Sequence, residues 1–476
     1  MKKYKTTKIQ KCALFLPKQK LEVATSPETK LSIIMTFNDL SDEEIIEAKK
    51  LLKEVNSWDF FWELTNHNRV VPLIYKNFLK TSLSNSLPEN IRQKMEKHTK
   101  AIVKVNEDRL QIARQFLKRF IEKKIPVIIL KGVNFAETIY KNPYYKQMND
   151  IDILIKYEDI DKIYDIYNSM NFFSVGEVVN KLSNKKHKRT HHAPSFISPD
   201  LKCMIGTHWG LITPFSKYKY DYQAIWQRSR ELNFYNIPVL SMSPEDNLHH
   251  ICVHLPFYKT GLRELADIYN LIRYYSELNW ELFSEIISKA KTYNPVYHAL
   301  SLVNKIYYTK KIDICLEQIK PFCSFSYIKS TNKKIKSLDL IVRNRSTHLS
   351  NIEKDFSDLS HTQDPKEKLF FFSRIWKNIF WPPKEEVIKI NYFINPNIFK
   401  IMLGRITTPI KILKVFINDL GLLIFLLAIL KSTIDLLINL AKSPFIKKES
   451  KSNYENFAKK MGLTIEDLKN FKNRIE

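Results

Sequence analysis

The sequence is short of glycine, of paired cysteines, of long apolar runs and of acid. Only 8 of its 476 residues are glycine, in a chain rich in lysine, isoleucine and asparagine. That bias is one whole genomes impose, so composition by itself names no partner. The five cysteines, Cys12, Cys203, Cys252, Cys315 and Cys323, are odd in number and have no CxxC or other ligand spacing. This argues against a disulfide framework and a zinc ribbon and fits a reducing cytosol. At the N-terminus the apolar "CALFL" falls short of the ~7 residues a signal core needs, so no export signal is expected.

The segment "DLGLLIFLLAILKSTIDLLINLA", 419 to 441, is uninterrupted only from Gly421 to Leu430, before Lys431 and Asp435. That is short of the ~20 apolar residues of a membrane span, and reads instead as a buried hairpin helix or an interfacial one. Lysines 411, 414, 442, 447 and 448 keep an anionic membrane surface open as a partner. The expected location is therefore cytoplasmic, with attachment to the inner membrane face as an option. Acid is also in deficit: 50 Asp plus Glu face 76 Lys plus Arg, a net charge of +26. Such a surface favours nucleotides, nucleic acid or anionic lipid headgroups.

The chain can hold roughly three units. After a basic segment, 1–40, "SDEEIIEAKKLLKEV" opens a helical region, 41–124, with a serine cap followed by acids. In "NEDRLQIARQFLKRFIEKK", Leu110, Ala113, Phe116, Leu117 and Phe120 share one helical face. "IPVIIL", 125 to 130, and "IDILI", 151 to 155, read as buried strands, followed by a helix in "EDIDKIYDIYNSM" and strands near 171–175, 193–198 and 202–209. The segment 125–240 is thus a small α+β core. Helical periodicity returns over 241–323, a basic polar connection with further helices fills 324–404, and 405–476 reads as basic and apolar helices.

Side chains two apart on a strand share a face, so Asp150 and Asp152 present two carboxylates about 6.6 Å apart along the backbone. Such a pair can grip Mg²⁺ (or Mn²⁺), which takes one or two carboxylates and completes its shell with substrate phosphate oxygens. A solvated strand entrance explains the same pair. "EDID" repeats the spacing at Asp159 and Asp161, but on a helix residues two apart diverge, and acids there are expected to cap and complement the dipole. Lys131-Gly132 stands where a strand meets a helix, so backbone amides can approach a phosphate and Lys131 can add a point charge; a plain turn with a solvated lysine is the alternative.

Taken together, Leu130-Lys131-Gly132, Tyr140, Lys146 and Asp150-Ile151-Asp152 resemble the bacterial uncharacterised nucleotidyltransferase family of the nucleotidyltransferase superfamily. "WDFFWELTNHNRVVPLIYKNFL", "THWGL", "SPEDNLHHICVHL", "LADIYNLI" and "NWELFSEIISKAK" resemble its other blocks in order, so the likeness covers roughly 55 to 310. It implies a small mixed β-sheet core flanked by N-terminal helices and a larger C-terminal helical domain. It also implies Mg²⁺-dependent attack on the α-phosphate of a nucleoside triphosphate, with Asp150 and Asp152 on the metal and Lys131, Gly132 and Lys146 on the triphosphate. The acceptor stays open.

The chain departs from that pattern at three places. Lys146 stands where the family tends to have arginine, and a lysine meets phosphate as a point charge. Val133 replaces the serine of the wider superfamily's Gly-Ser. Gly206 occupies the position of a third carboxylate, so either Asp200 or a group from elsewhere substitutes, or one metal site is weakened; His208 is the nearby candidate base, although a histidine beside Trp209 also reads as a packed structural residue. An alternative is a lapsed enzyme on the same fold that binds nucleotide or RNA. "NKKHKRTHHAP", 184 to 194, offers a basic cluster for an acceptor phosphate or RNA, or a solvated hairpin tip. His250 and His254 stand one helical turn apart, as a metal pair would, but read first as a helix packed near the site. The stretch 457–476 has a helix-turn-helix cadence but is too short for an independent reader, so a two-helix packing element is the default.

Overall fold

The computed structural model describes residues 26–174, 191–255 except 213, 215 and 217, 261–337, and parts of 352–420. The basic residues 184–190, the apolar run 421–430 and the tail 457–476 lie outside the described residues.

One mixed sheet organises the centre. Its strands are β1 (Val127–Ile129), β2 (Ile151–Ile155), β3 (Phe173–Ser174), β4 (Phe196–Ile197), β5 (Met204–His208), β6 (Arg230–Phe234) and β7 (Ile237–Ser241), in the spatial order β3-β4-β5-β2-β1-β7-β6. β2 lies antiparallel to β1 and parallel to β5, while β1 runs parallel to β7. All five residues of β2 are buried, as expected of a strand covered on both faces. Ile151, Ile153 and Ile155 join Val127, Ile129 and Ile205 in one core, whereas Leu154 joins Ile128 and Leu130 in another.

The first face is covered by the long helix Glu89–Glu122, through Leu110, Ala113, Phe116, Leu117 and Phe120, and by the helix Ile160–Ser169, through Ile163 and Tyr167. Each such large apolar side chain contributes about 1.5–3 kcal/mol on burial. Tyr167 also pairs its hydroxyl with Thr207 Oγ1 at 3.0 Å. The opposite face carries the short helix Tyr222–Arg228 through Ile225, and it is on this face that Asp152 interrupts the apolar pattern.

A third core joins helices far apart in sequence. Leu31, Phe61, Ile74 and Phe78 pack with Leu265, Ile268, Phe283, Val296 and Leu300. Polar cross-links fix their register: Asn77 Nδ2 donates to the carbonyls of Met35 (2.9 Å) and Phe37 (2.7 Å), and Asn270 Nδ2 donates to Thr36 O at 2.9 Å. Ser41 caps the helix Asp42–Glu54 reciprocally with Glu44, as its sequence predicts. The same Glu44 carboxylate accepts both guanidinium ends of Arg273, at 2.6 and 2.8 Å.

Two expectations change. The β6–β7 hairpin has no counterpart in the sequence reading, because Pro238 and the exposed Arg230 and Glu231 break the apolar alternation of an edge strand. Its turn residues, Tyr235 and Asn236, have φ of 50° and 64°, the left-handed pair of a type I′ turn. In "EDID", Asp159 stands at the N-cap of the Ile160–Ser169 helix but makes no capping hydrogen bond; it accepts from Lys162 Nζ at 2.7 Å. Among the described residues, no helix is long and apolar enough to cross a membrane.

Candidate functional site

The segment 140–150 leads into β2 and is held from several sides. Asn106 Nδ2, on the long helix, donates to Pro143 O (2.7 Å) and Lys146 O (2.8 Å), and the neighbouring Arg109 donates to Met148 O. Arg69 Nη1 reaches Asn149 Oδ1 at 3.0 Å, and Arg263 Nη1 reaches Gln147 O at 3.2 Å. An irregular segment with its carbonyls occupied in this way presents Asp150 at a fixed place.

Asp150 stands one residue before β2 and Asp152 is its second residue. Both line one open cleft of about 210 Å³, together with Lys131, Gly132, Lys146, His254, Arg263 and Asp267. Lys131 opens the helix Lys131–Thr138, whose N-terminus no side chain caps; its uncapped amides and dipole suit an anion. The left-handed φ at this bend belongs to Lys131 (47°), so the conformational demand falls on the lysine and not on the glycine. A Cβ at Gly132 would meet Met148 Cγ at 3.4 Å and Lys146 Cε at 3.7 Å, ordinary contact distances. The protein's own packing therefore tolerates a side chain there, and what the glycine preserves is open space on the cleft wall.

Asp152 has both oxygens engaged. Lys131 Nζ lies 2.9 Å from Oδ2, and His208 Nε2 lies 3.0 Å from Oδ1. His208 comes from β5, where Gly206 is the register partner of Asp152. A Cβ at Gly206 would fall 2.1 Å from Asp152 Oδ1 and 3.1 Å from His208 Nε2, so the Asp152 carboxylate fills the space a side chain would need. This is the physical counterpart of the missing third acid. His208 is not among the cleft-lining residues; it reaches the site through Asp152, and its ring lies 5.3 Å from that of His192 and 5.9 Å from that of His191.

The two carboxyls are driven apart electrostatically. Burial, then the neighbouring charge of Asp152, pushes Asp150 up to about 6. Burial also opposes the charge on Asp152, but Lys131 and the hydrogen bond from His208 outweigh it and hold that carboxyl well below the usual range.

Lys146 lies in the cleft wall but is committed elsewhere. It is 7% exposed and ion-paired with Asp267 on the helix Leu262–Tyr274. Tyr140 donates its hydroxyl to the other Asp267 oxygen at 2.8 Å, and Asn270 Nδ2 donates to Tyr140 at 3.2 Å. Burial pulls the Lys146 ammonium down from its ordinary value against the attraction of Asp267. Sequence reasoning sets the His254 helix near the site, where the structure lines the cleft with His254, but does not single out Arg263 or Asp267 as wall residues. The signal available was the i,i+4 spacing of Arg263 and Asp267, which places both on one side of an amphipathic helix. His254 and His250 stack at 5.5 Å with 26° between their planes. Lys131 and burial hold His254 well below its ordinary value, and His250 Nε2 is buried without a hydrogen-bond partner among the described residues.

Among the described residues, no group of three or more His, Cys, Asp or Glu is placed to cage a metal ion. Asp150 and Asp152 offer hard oxygen donors to a shared cleft, which fits an ion that completes its shell with substrate oxygens and water, as Mg²⁺ commonly does.

The sequence pattern of the uncharacterised nucleotidyltransferases matches residues 54–308. No curated protein and no solved structure matches the chain. The matched stretch covers more than half of the chain and takes in the whole sheet, the Lys131-Gly132 bend, the aspartate pair and the Arg263–Asp267 wall, and by it the chain belongs to the uncharacterised nucleotidyltransferase family.

Proposed function

We propose that the cleft binds a nucleoside triphosphate and supports transfer of its nucleotidyl group to an acceptor by attack on the α-phosphate. The observation that carries this reading is the opening of Asp150 and Asp152 into the same cleft as Lys131, the uncapped helix N-terminus and Arg263. Asp150 and Asp152 would hold Mg²⁺ or Mn²⁺, which when bound neutralises charge on the transferring phosphoryl group. Lys131 exchanges Asp152 for a phosphate oxygen, and Gly132 lets the chain approach closely. Arg263, whose Nε and Nη2 donate to Glu264 Oε1 at 3.2 and 2.8 Å, adds positive field to the same wall. Lys146, pinned by Asp267, shapes the wall and adds positive field. His208 holds Asp152 in place, which makes it a positioning residue on this reading.

Position 206 favours a second reading, a nucleotide-binding protein with turnover lost, since no acid can stand there while Asp152 keeps its place. One experiment separates the two. The protein is incubated with each α-labelled nucleoside triphosphate, Mg²⁺ and cell extract, beside the Asp152→Asn variant. Label that passes to protein, RNA or a small molecule only with the unaltered chain supports transfer. Saturable triphosphate binding without transfer supports the binding protein, and the absence of both binding and transfer overturns the assignment of the cleft.

A further inference from the structure

The helix Ile398–Leu420 has an apolar face that is left exposed among the described residues. Gly404, Thr408 and Ile412 are buried on one side, where the helix packs beside Pro365–Phe380. On the other side Ile398, Phe399, Met402, Leu403, Ile406 and Ile410 are all exposed, from 49% at Leu403 to 79% at Ile398. Their spacing forms one stripe along the helix. Six large side chains in a contiguous stripe exceed the scattered exposure usual on a soluble monomer and mark a docking surface.

Charge and aromatic placement decide the occupant. The helix carries four basic residues, Lys400, Arg405, Lys411 and Lys414, against the single acid Asp419. By helical spacing, Lys400 and Lys414 border one edge of the stripe and Arg405 the other, so long basic side chains flank an apolar band on both sides. The Arg405 guanidinium lies 5.3 Å from the ring of Trp381, which is itself 69% exposed, and Phe380 beside it is 48% exposed. An apolar stripe with basic margins and an exposed tryptophan at its border matches the chemistry of an anionic bilayer surface: acyl boundary, phosphate layer and the interface between them. The net charge of +26 draws the whole molecule the same way.

We propose that the Ile398–Leu420 helix docks this chain, in the plane of the surface, on membranes bearing anionic lipid. The proposal concerns a face apart from the nucleotide cleft and does not depend on it. The stripe does not span; it lies in the headgroup boundary.

The test is flotation of the full-length protein with vesicles of phosphatidylcholine alone or with one third phosphatidylglycerol, beside Phe399→Ser/Ile406→Ser. Both substituted side chains are exposed, at 73% and 67%, so folding is preserved, as an unchanged circular dichroism melt will verify. The expected result is flotation with the anionic vesicles, at least fivefold less with phosphatidylcholine, and at least tenfold less for the double variant. A protein that stays at the bottom with both vesicle types overturns the proposal. So does equal flotation of the double variant, which would assign binding to charge alone. A dimer in lipid-free buffer that this variant converts to monomer would make the stripe a contact between two copies, and also overturns it.

Discussion

The carboxylate of Asp152 fills the space over Gly206, its register partner on the parallel strand β5, so closely that a Cβ at 206 would lie 2.1 Å from Oδ1. The absence of an acid at that position and the hydrogen bond between Asp152 and His208 are thus one structural fact. A side chain at 206 and the present pose of Asp152 exclude each other.

Gly206→Ala is therefore expected to swing Asp152 off His208. The loss is about 1.5–3 kcal/mol, the worth of a hydrogen bond to a charged group, and shows as a lower midpoint in denaturant unfolding. Adding His208→Ala to this variant should cost little more, because the bond is already gone. If the two changes add fully, the steric link is wrong.

On the proposed reading, a divalent ion would compete with Lys131 for Asp152 Oδ2. In Lys131→Met, Mn²⁺ measured by calorimetry without nucleotide should bind at least as tightly as in the unaltered chain, while triphosphate affinity falls roughly tenfold, about 1.4 kcal/mol. Weaker ion binding would remove Lys131 from competition.

Lys146→Met leaves the half-buried Asp267, 14% exposed at the cleft wall, without its cation. Breaking a pair of which one partner is buried costs at most the ~3 kcal/mol at the low end for buried pairs, so a clear fall in thermal midpoint is expected. A normal melt with weakened triphosphate binding would instead mark Lys146 as a free phosphate ligand.

His249 is 1% exposed, and burial, reinforced by Arg228, pulls it down to about 3; its Nε2 sits 2.7 Å from Thr292 Oγ1. A histidine with a folded value below its unfolded one stabilises the protein fully above the unfolded value of about 6.5, and that stability is lost as pH falls below it. Between pH 6.5 and pH 5 His249 should account for about 2 kcal/mol, read from unfolding curves at each pH. His249→Asn should flatten that part of the profile.

The sequence by itself determined what depends on neighbours in the chain. The strand "IDILI" follows from five residues with no outlet for exposure but one aspartate, the Ser41 cap from a serine three residues before Glu44, and the apolar face of the long helix from the spacing of Leu110, Ala113, Phe116, Leu117 and Phe120. The two-residue spacing of Asp150 and Asp152 sets their parity in the same way. What each side chain meets was decided only by the tertiary structure, because those partners come from 56 to more than 230 residues away. Lys146 finds Asp267, Asp152 finds His208 across Gly206, and Leu31 finds the helices beyond residue 260. Periodicity records which way a residue points, and a single sequence holds no record of which distant element stands there to receive it.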